Sequence, residues 1–367
     1  MAHQRICRCR SVIFAGTMGL LAAPTANVAQ TSSTPAFSGR ATVVQATVPP
    51  LAPIVVSDTT PLPSSGGAQE ASLLDVPAIP LANVGAVNGA QVAHASTVGR
   101  GNASRSEASV ADLSVTVAGN TIAADFLRST ASATCNGSNA SVSGNSELAV
   151  LTINGQSIVV SGATNQTIPL PLNAGVVVIN EQSSSGNGQS GGMDVNALHV
   201  VVNNTAPGGA PLADVIVSHV HSDVTCPASP AALPPCDTAA RDFVTGGGWI
   251  VSPSNPKAKA NFAVAGGIKN GAFWGHLLYV DHGNGQRVKG TEVTGYDFYP
   301  LFGENGRQTG GLAEIDGKPG SYEADVADYG EPGHGTDPFQ LKLNGNPTAV
   351  ASDLLAGGNV QLHKACQ

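Results

Sequence analysis

The sequence predicts an all-β protein: two antiparallel β-sandwich domains of jelly-roll type, set behind a signal peptide and a disordered spacer. Three observations predict it. Charged residues make up 11% and aromatics 4% of the 367 residues; helix-favouring charged side chains are scarce, while β-branched and turn-forming residues abound. Apolar residues alternate in short stretches bounded by glycine, proline, asparagine and serine. Asn154-Gly155 stands between Val150-Leu151-Thr152-Ile153 and Ser157-Ile158-Val159-Val160, a strong short-range signal for a hairpin. The apolar share of 42% is enough to bury a core and argues against wholesale disorder.

Residues 1–29 read as a secretory signal peptide. Arg5, Arg8 and Arg10 precede an apolar run from Ser11 to Ala23, which suits a signal-peptide core and is short of the roughly 20 residues that span a bilayer. The whole chain carries a formal charge of −8. The leader holds three arginines and no acid, leaving −11 on the remainder. That balance argues against nucleic acid as a partner and against electrostatic adhesion to an anionic membrane. No later apolar run approaches transmembrane length. Residues 30–70 are rich in proline, serine and threonine, punctuated by Pro49-Pro50, Pro53, Pro61 and Pro63, and read as an extended, disordered spacer.

From 71 to 226 the pattern is one of short strands. Ser109–Val117 alternates, Gly175–Ile179, Val195–Val202 and Val215–Val220 are apolar, and Ser183–Gly192 reads as a glycine- and serine-rich loop. Four prolines between Cys226 and Cys236 exclude regular structure and place a linker at 227–236. The second domain then runs from 237 to 367. It is organised around Phe243–His282, which holds both tryptophans and the glycines 246–248 and 266–267. Within it Phe273, Gly275, Leu277 and Tyr279 alternate with Trp274, His276, Leu278 and Val280. Both faces are mostly apolar, as in a strand covered on both sides. Glycine triplets beside large aromatics suggest tight bends and close approach of packed sheets.

Cys135, Cys226, Cys236 and Cys366 remain after the leader, and an even number in an exported chain reads as disulfides. The expected pairing is Cys135 with Cys226 and Cys236 with Cys366, each stapling one domain to itself. The competing pairing joins Cys226 to Cys236 and Cys135 to Cys366.

Three constellations carry possible chemistry. Val215–Val217 runs into Ser218-His219-Val220-His221-Ser222-Asp223. His-x-His-x-Asp after an apolar strand resembles the metal-binding turn of metallo-β-lactamase-fold hydrolases. Here Val224 stands where that turn has a further histidine, and strand alternation alone puts His219 and His221 on one face. The acids Asp325, Asp328, Glu331 and Asp337, with His334 among them, lie in a glycine-rich stretch that suits calcium, or else a solvated turn. Trp249, Trp274 and Tyr279 are candidates for stacking on sugars or on a protein partner, or else for core packing.

Two longer resemblances rest on phrases rather than spacing. Residues 71–226, with Val176-Val177-Val178-Ile179-Asn180-Glu181-Gln182 and Asp194-Val195-Asn196-Ala197-Leu198-His199-Val200, resemble the choice-of-anchor P family of bacterial surface proteins. The rest resembles the domain that often follows it, through Phe243-Val244-Thr245-Gly246-Gly247-Gly248-Trp249-Ile250, Asp328-Tyr329-Gly330-Glu331-Pro332-Gly333 and Gly357-Gly358-Asn359-Val360. The resemblance implies a protein outside the cytoplasm, tethered by one of several anchors, and no activity comes with it. Gln361–Gln367 carries no sorting or anchor signal, so the mode of tethering stays open.

The expectation is an exported, non-catalytic structural or binding protein, without a cofactor unless calcium is bound, whose partner is a cell-surface glycan or protein. The alternatives are a pair of carbohydrate-binding modules using the second-domain aromatics, and a metal-dependent hydrolase centred on His219, His221 and Asp223.

Overall fold

A computed structural model describes residues 34–203, 210–228, 242–269 and 271–364. Among them almost everything is strand, joined by turns and two short 3-10 segments, Pro171–Asn173 and Pro300–Asn305. The all-β expectation holds. In chain order the first fourteen strands are β1 (Ala36–Thr47), β2 (Ile54–Asp58), β3 (Gly67–Leu73), β4 (Ile79–Leu81), β5 (Gly85–Gly89), β6 (Ala93–Arg100), β7 (Ala103–Val117), β8 (Asn120–Asn136), β9 (Asn139–Ile153), β10 (Gln156–Ser157), β11 (Gln166–Pro169), β12 (Gly175–Asn187), β13 (Ser190–Val202) and β14 (Ala213–Thr225). Nine more follow: β15 (Phe243–Ser252), β16 (Asn255–Lys269), β17 (Ala272–Asp281), β18 (Arg287–Phe298), β19 (Gly306–Ile315), β20 (Lys318–Ala327), β21 (Pro338–Leu343), β22 (Ala351–Leu354) and β23 (Gly357–His363).

These strands form three antiparallel sheets. The first runs β11-β12-β13-β14-β1-β2. The second runs β10-β9-β8-β7, after which β7 is shared, β6 pairing along its first half and β5 along its second. The third runs β22-β21-β20-β19-β18-β17-β16-β15-β23 and curls into a half-barrel. Phe262 of β16 and Phe339 of β21 meet across its inside as stacked rings 4.1 Å apart.

The second sheet is the middle layer. One face contributes Val110, Leu113 and Leu127 to a core shared with Val43, Val195 and Val217 of the first sheet. The other sets Ala111 and Phe126 against Ala263, Leu278 and Val280 of the third. The described residues accordingly belong to one compact unit, Ser32–Gln367. β17 behaves as its alternation predicts, Leu277 and Tyr279 entering the half-barrel core while Leu278 and Val280 face the middle sheet.

The stretch 34–70 is not a spacer. β1 lies inside the first sheet between β14 and β2, with Ala41, Val43 and Val44 fully buried. Its prolines mark turns, Pro49-Pro50 lying between β1 and β2 and Pro61 and Pro63 between β2 and β3. The partner that makes it a strand is far along the chain, Gly39 facing Ser222 and Thr42 facing His219. The glycine- and serine-rich stretch 183–192 is likewise a hairpin, its pairs running from Ser183 with Asp194 to Asn187 with Ser190. Its small residues serve packing: a Cβ on Gly191 would lie 3.0 Å from Val142 of β9. The Asn154-Gly155 turn forms as predicted, with φ of 53° and 75°, but its second strand is only two residues long.

The glycines of β15 make no bend. A Cβ on Gly246 would come within 2.5 Å of the Asn359 carbonyl in β23, and one on Gly247 within 2.7 Å of Ser109 Oγ in the middle sheet. Their absent side chains let β15 lie close to both.

Where the first and middle sheets meet beside the core, serine hydroxyls fasten backbone to backbone. Ser218 Oγ donates to the Ala108 carbonyl at 2.7 Å, Ser129 Oγ to the Ser218 carbonyl at 2.6 Å, and Ser106 Oγ to the His221 carbonyl at 2.6 Å. A disulfide between Cys135 and Cys226 closes the same edge, Cα–Cα 5.5 Å. Cys236 and Cys366, the linker from 229 onward and the leader lie outside the described residues.

Candidate functional site

The His-x-His-x-Asp stretch lies on β14, on the outer face of the first sheet. Register sets His221 between Arg40 and Asp194, and His219 between Thr42 and Asn196. His219 Nδ1 donates to Asn196 Oδ1 at 2.7 Å. His221 Nδ1 meets Asp194 Oδ1 at 2.9 Å and its Nε2 lies 3.2 Å from Ser38 Oγ. On β13, His199 bridges Glu181 at 2.8 Å and Asp214 at 3.1 Å. The two histidines and Asp223 thus belong to a cross-strand polar ladder, each histidine engaged by its neighbours. No group of three or more His, Cys, Asp or Glu among the described residues is arranged to hold a metal ion.

The ladder titrates. The hydrogen bond that His199 donates to Asp214 raises its imidazole above the ordinary value, and that from His221 to Asp194 raises His221. Burial holds His219 below it. A histidine raised in the fold stabilises it fully below the unfolded value near 6.5, and the contribution is lost as pH rises through the folded value. Asp194→Asn is therefore expected to reduce stability at pH 6 and to change it little at pH 9. Chemical denaturation at the two pH values checks this; an equal loss at both would contradict it.

The four predicted calcium ligands do not converge. Asp325 is fully buried on β20, accepting from Gln308 Nε2 at 2.8 Å and Lys342 Nζ at 2.9 Å. The other three belong to the β20–β21 loop, which docks on β23. This strand pairs with β15 on one side only, leaving alternate amides on the other side to be satisfied. Asp337 Oδ2 accepts from Val360 N at 3.0 Å, and Asp328 Oδ2 from Leu362 N at 2.9 Å. Gly358 N lies 3.3 Å from both carboxylate oxygens of Glu147 on β9. Carboxylates thus seal the open edge of the half-barrel. Asp337 also accepts from Tyr329 N at 2.8 Å. Burial raises both loop aspartates above the usual carboxylate range, against the pull of the amides they accept from.

The aromatic candidates form no exposed row. Tyr279 is wholly buried in the half-barrel core, 6.2 Å from the Phe339 ring, so it binds nothing from solution. Trp249 packs at the seam with the middle sheet under Lys259 Nζ, 4.7 Å from its ring, and Trp274 packs on Phe243.

Sequence reasoning missed the group beside the docked loop. Arg128 of β8 is 3% exposed; its Nη2 lies 2.9 Å from Glu107 Oε2 and 3.9 Å from Glu331 Oε2, and its Nη1 3.9 Å from Glu147 Oε2. Arg128 Nε and Glu107 Oε1 make no hydrogen bond among the described residues. Glu331 accepts from Asn359 Nδ2 at 3.0 Å and Gln361 Nε2 at 3.2 Å. Burial first, then Glu107, pushes its carboxyl up to about 7, while Arg128 pulls it down. Half of the Glu331 side chain is open to water, so screening keeps the effect on stability small. The available signal was an arginine, Arg128, inside the apolar strand Phe126-Leu127-Arg128-Ser129, a position that calls for a buried partner.

These residues line a cleft of about 340 Å³. β7 gives Arg105 and Glu107, β8 gives Arg128, Thr130 and Ser132, β9 gives Ser143 and Asn145, and Glu331, Pro332 and Gln361 form a wall. No family model matches the chain, and neither a curated protein nor a solved structure matches it. Among the described residues no helix is long and apolar enough to cross a membrane.

Proposed function

We propose that this is an exported, non-catalytic binding protein of the bacterial envelope or extracellular space, with its layered sheets as scaffold and the cleft beside Arg128 as its binding site. The observation that carries the reading is the cleft itself. It is walled by a loop that three carboxylates fix to β23, and it is floored by a buried charge cluster, so its shape is preorganised. The Cys135–Cys226 bridge supports export, because such bonds persist in oxidising compartments. The kinship with choice-of-anchor P proteins belongs to the same proposal, resting on the phrases quoted above.

Expression of the whole chain in a bacterial host tests it. The expected product leaves the cytoplasm, starts near residue 27 to 30, and is retained by envelope or glycan fractions without altering them. A cytoplasmic product with Met1 intact would overturn export. Turnover of glycan or ester substrates in the purified protein would overturn the non-catalytic reading.

A further inference from the structure

We infer that the cleft takes a neutral polyhydroxylated ligand, a stretch of saccharide chain laid across β7, β8 and β9. This rests on the binding reading above and names its ligand. On this face register aligns Arg105 with Ser132, Glu107 with Thr130 and Ser109 with Arg128, and continues from Ser132 to Ser143, Thr130 to Asn145 and Arg128 to Glu147. The result is a lattice with about 4.8 Å between strands and roughly 7 Å between alternate residues along each strand.

The Arg128–Glu107 pair lies buried at the floor of this lattice. The Arg128 guanidinium lies among the carboxylates of Glu107, Glu147 and Glu331. The Arg128 guanidinium and Glu107 are buried, so a ligand laid over the strands does not meet that pair directly. Along β8 and β9 what faces outward is neutral, with Arg105 and Glu331 as exposed charges of opposite sign at its flanks. Thr130 and Ser132 are half-buried and Ser143 and Asn145 exposed, and none of the four side chains makes a hydrogen bond among the described residues. Hydroxyls and a carboxamide both donate and accept, as the hydroxyls of a sugar do. The strand spacing places these groups within reach of successive hydroxyls on a sugar chain. Gln361, Pro332 and Glu331 close one side. A hollow of about 80 Å³, lined in part by Asn102 and Lys364, shares Arg105 with the cleft. An anionic chain is therefore the competing ligand.

Isothermal titration of the mature chain decides between them, using neutral hexasaccharides of glucose, xylose, mannose and N-acetylglucosamine, and polygalacturonate as the anionic arm. At least one neutral hexasaccharide is expected to bind. Affinity should fall about tenfold or more in the double variant Ser143→Ala with Asn145→Ala, as expected for two lost hydrogen bonds. Both residues are exposed, so the fold is retained, and an unchanged melting temperature verifies that. Ser157→Ala, on β10, should bind as wild type does. Three results would overturn the inference: no neutral sugar bound, binding of polygalacturonate alone with loss in Arg105→Ala, or neutral binding unaffected by the double variant. Failure of all binding to an exported protein sinks the ligand assignment and leaves export standing. Shortening of the bound hexasaccharide leaves the site standing and overturns the non-catalytic reading.

Discussion

Replacing Cys135 and Cys226 together by alanine is expected to destabilise the protein by about 4 to 5 kcal/mol. The bridge spans 91 residues, and closing a loop of that length removes about this much chain entropy from the unfolded state. It joins the end of β8 in the middle sheet to the residue after β14 in the first. Around it Phe37, Leu62, Ala133 and Val224 are buried, so the two alanines also leave a small underfilled space. Urea denaturation of the oxidised wild type and the double variant measures the difference. A loss below about 1 kcal/mol would mean that the two sheets hold their edge without the bond.

Arg128→Met is expected to cost about 3 to 5 kcal/mol, the range for removing one partner of a buried ion pair. The methionine fills part of the volume, but Glu107, 8% exposed, keeps a carboxylate with no cation beside it. Such a group favours its neutral form, so the destabilisation should be largest above neutral pH and shrink towards acid. Adding Glu107→Gln should recover a substantial part. Denaturation of the single and double variants at pH 5 and pH 8 reads all of this. Equal losses at the two pH values, or no recovery in the double variant, would show that Arg128 acts through packing alone.

The two variants probe features that were unequally legible in the sequence. The Cys135–Cys226 bridge followed from chain order, because both cysteines precede the proline cluster. The alternation of Phe273–Val280 gave β17 and its two covered faces, and Asn154-Gly155 gave a turn, since both signals are local. β1 was hidden because prolines surround it and its partner β14 lies nearly two hundred residues away. Ser183–Asn187 looked like a loop because its side chains are small, yet small side chains are what a hairpin needs where it lies against β9.

The candidate site was legible in composition and not in role. Asp328, Glu331 and Asp337 stood out as acids among glycines, a pattern that calcium loops share. Their actual acceptor role depends on β23, which comes about thirty residues later, and on that strand having a free edge. Tyr279, open in the sequence to either stacking or core packing, is core, because the curl of the half-barrel encloses it. The one chemical clue to the cleft, an arginine inside an apolar strand, does not say which glutamates will meet it, because Glu107, Glu147 and Glu331 come from three separate elements.

Whether the acidic loop is spent inside the fold, shaping the cleft, is read most directly by residue-resolved amide hydrogen exchange on β23. The amides of Val360 and Leu362 point away from β15 and are expected to exchange slowly, because Asp337 and Asp328 accept from them. In Asp337→Ala, Val360 should lose most of its protection, while Thr245, inside the β15–β23 ladder opposite Gln361, keeps its own; added calcium should leave the wild-type pattern unchanged. Rapid exchange at Val360 and Leu362 in the wild type, or protection that appears only when calcium is added, would contradict the assignment of these carboxylates to the strand edge.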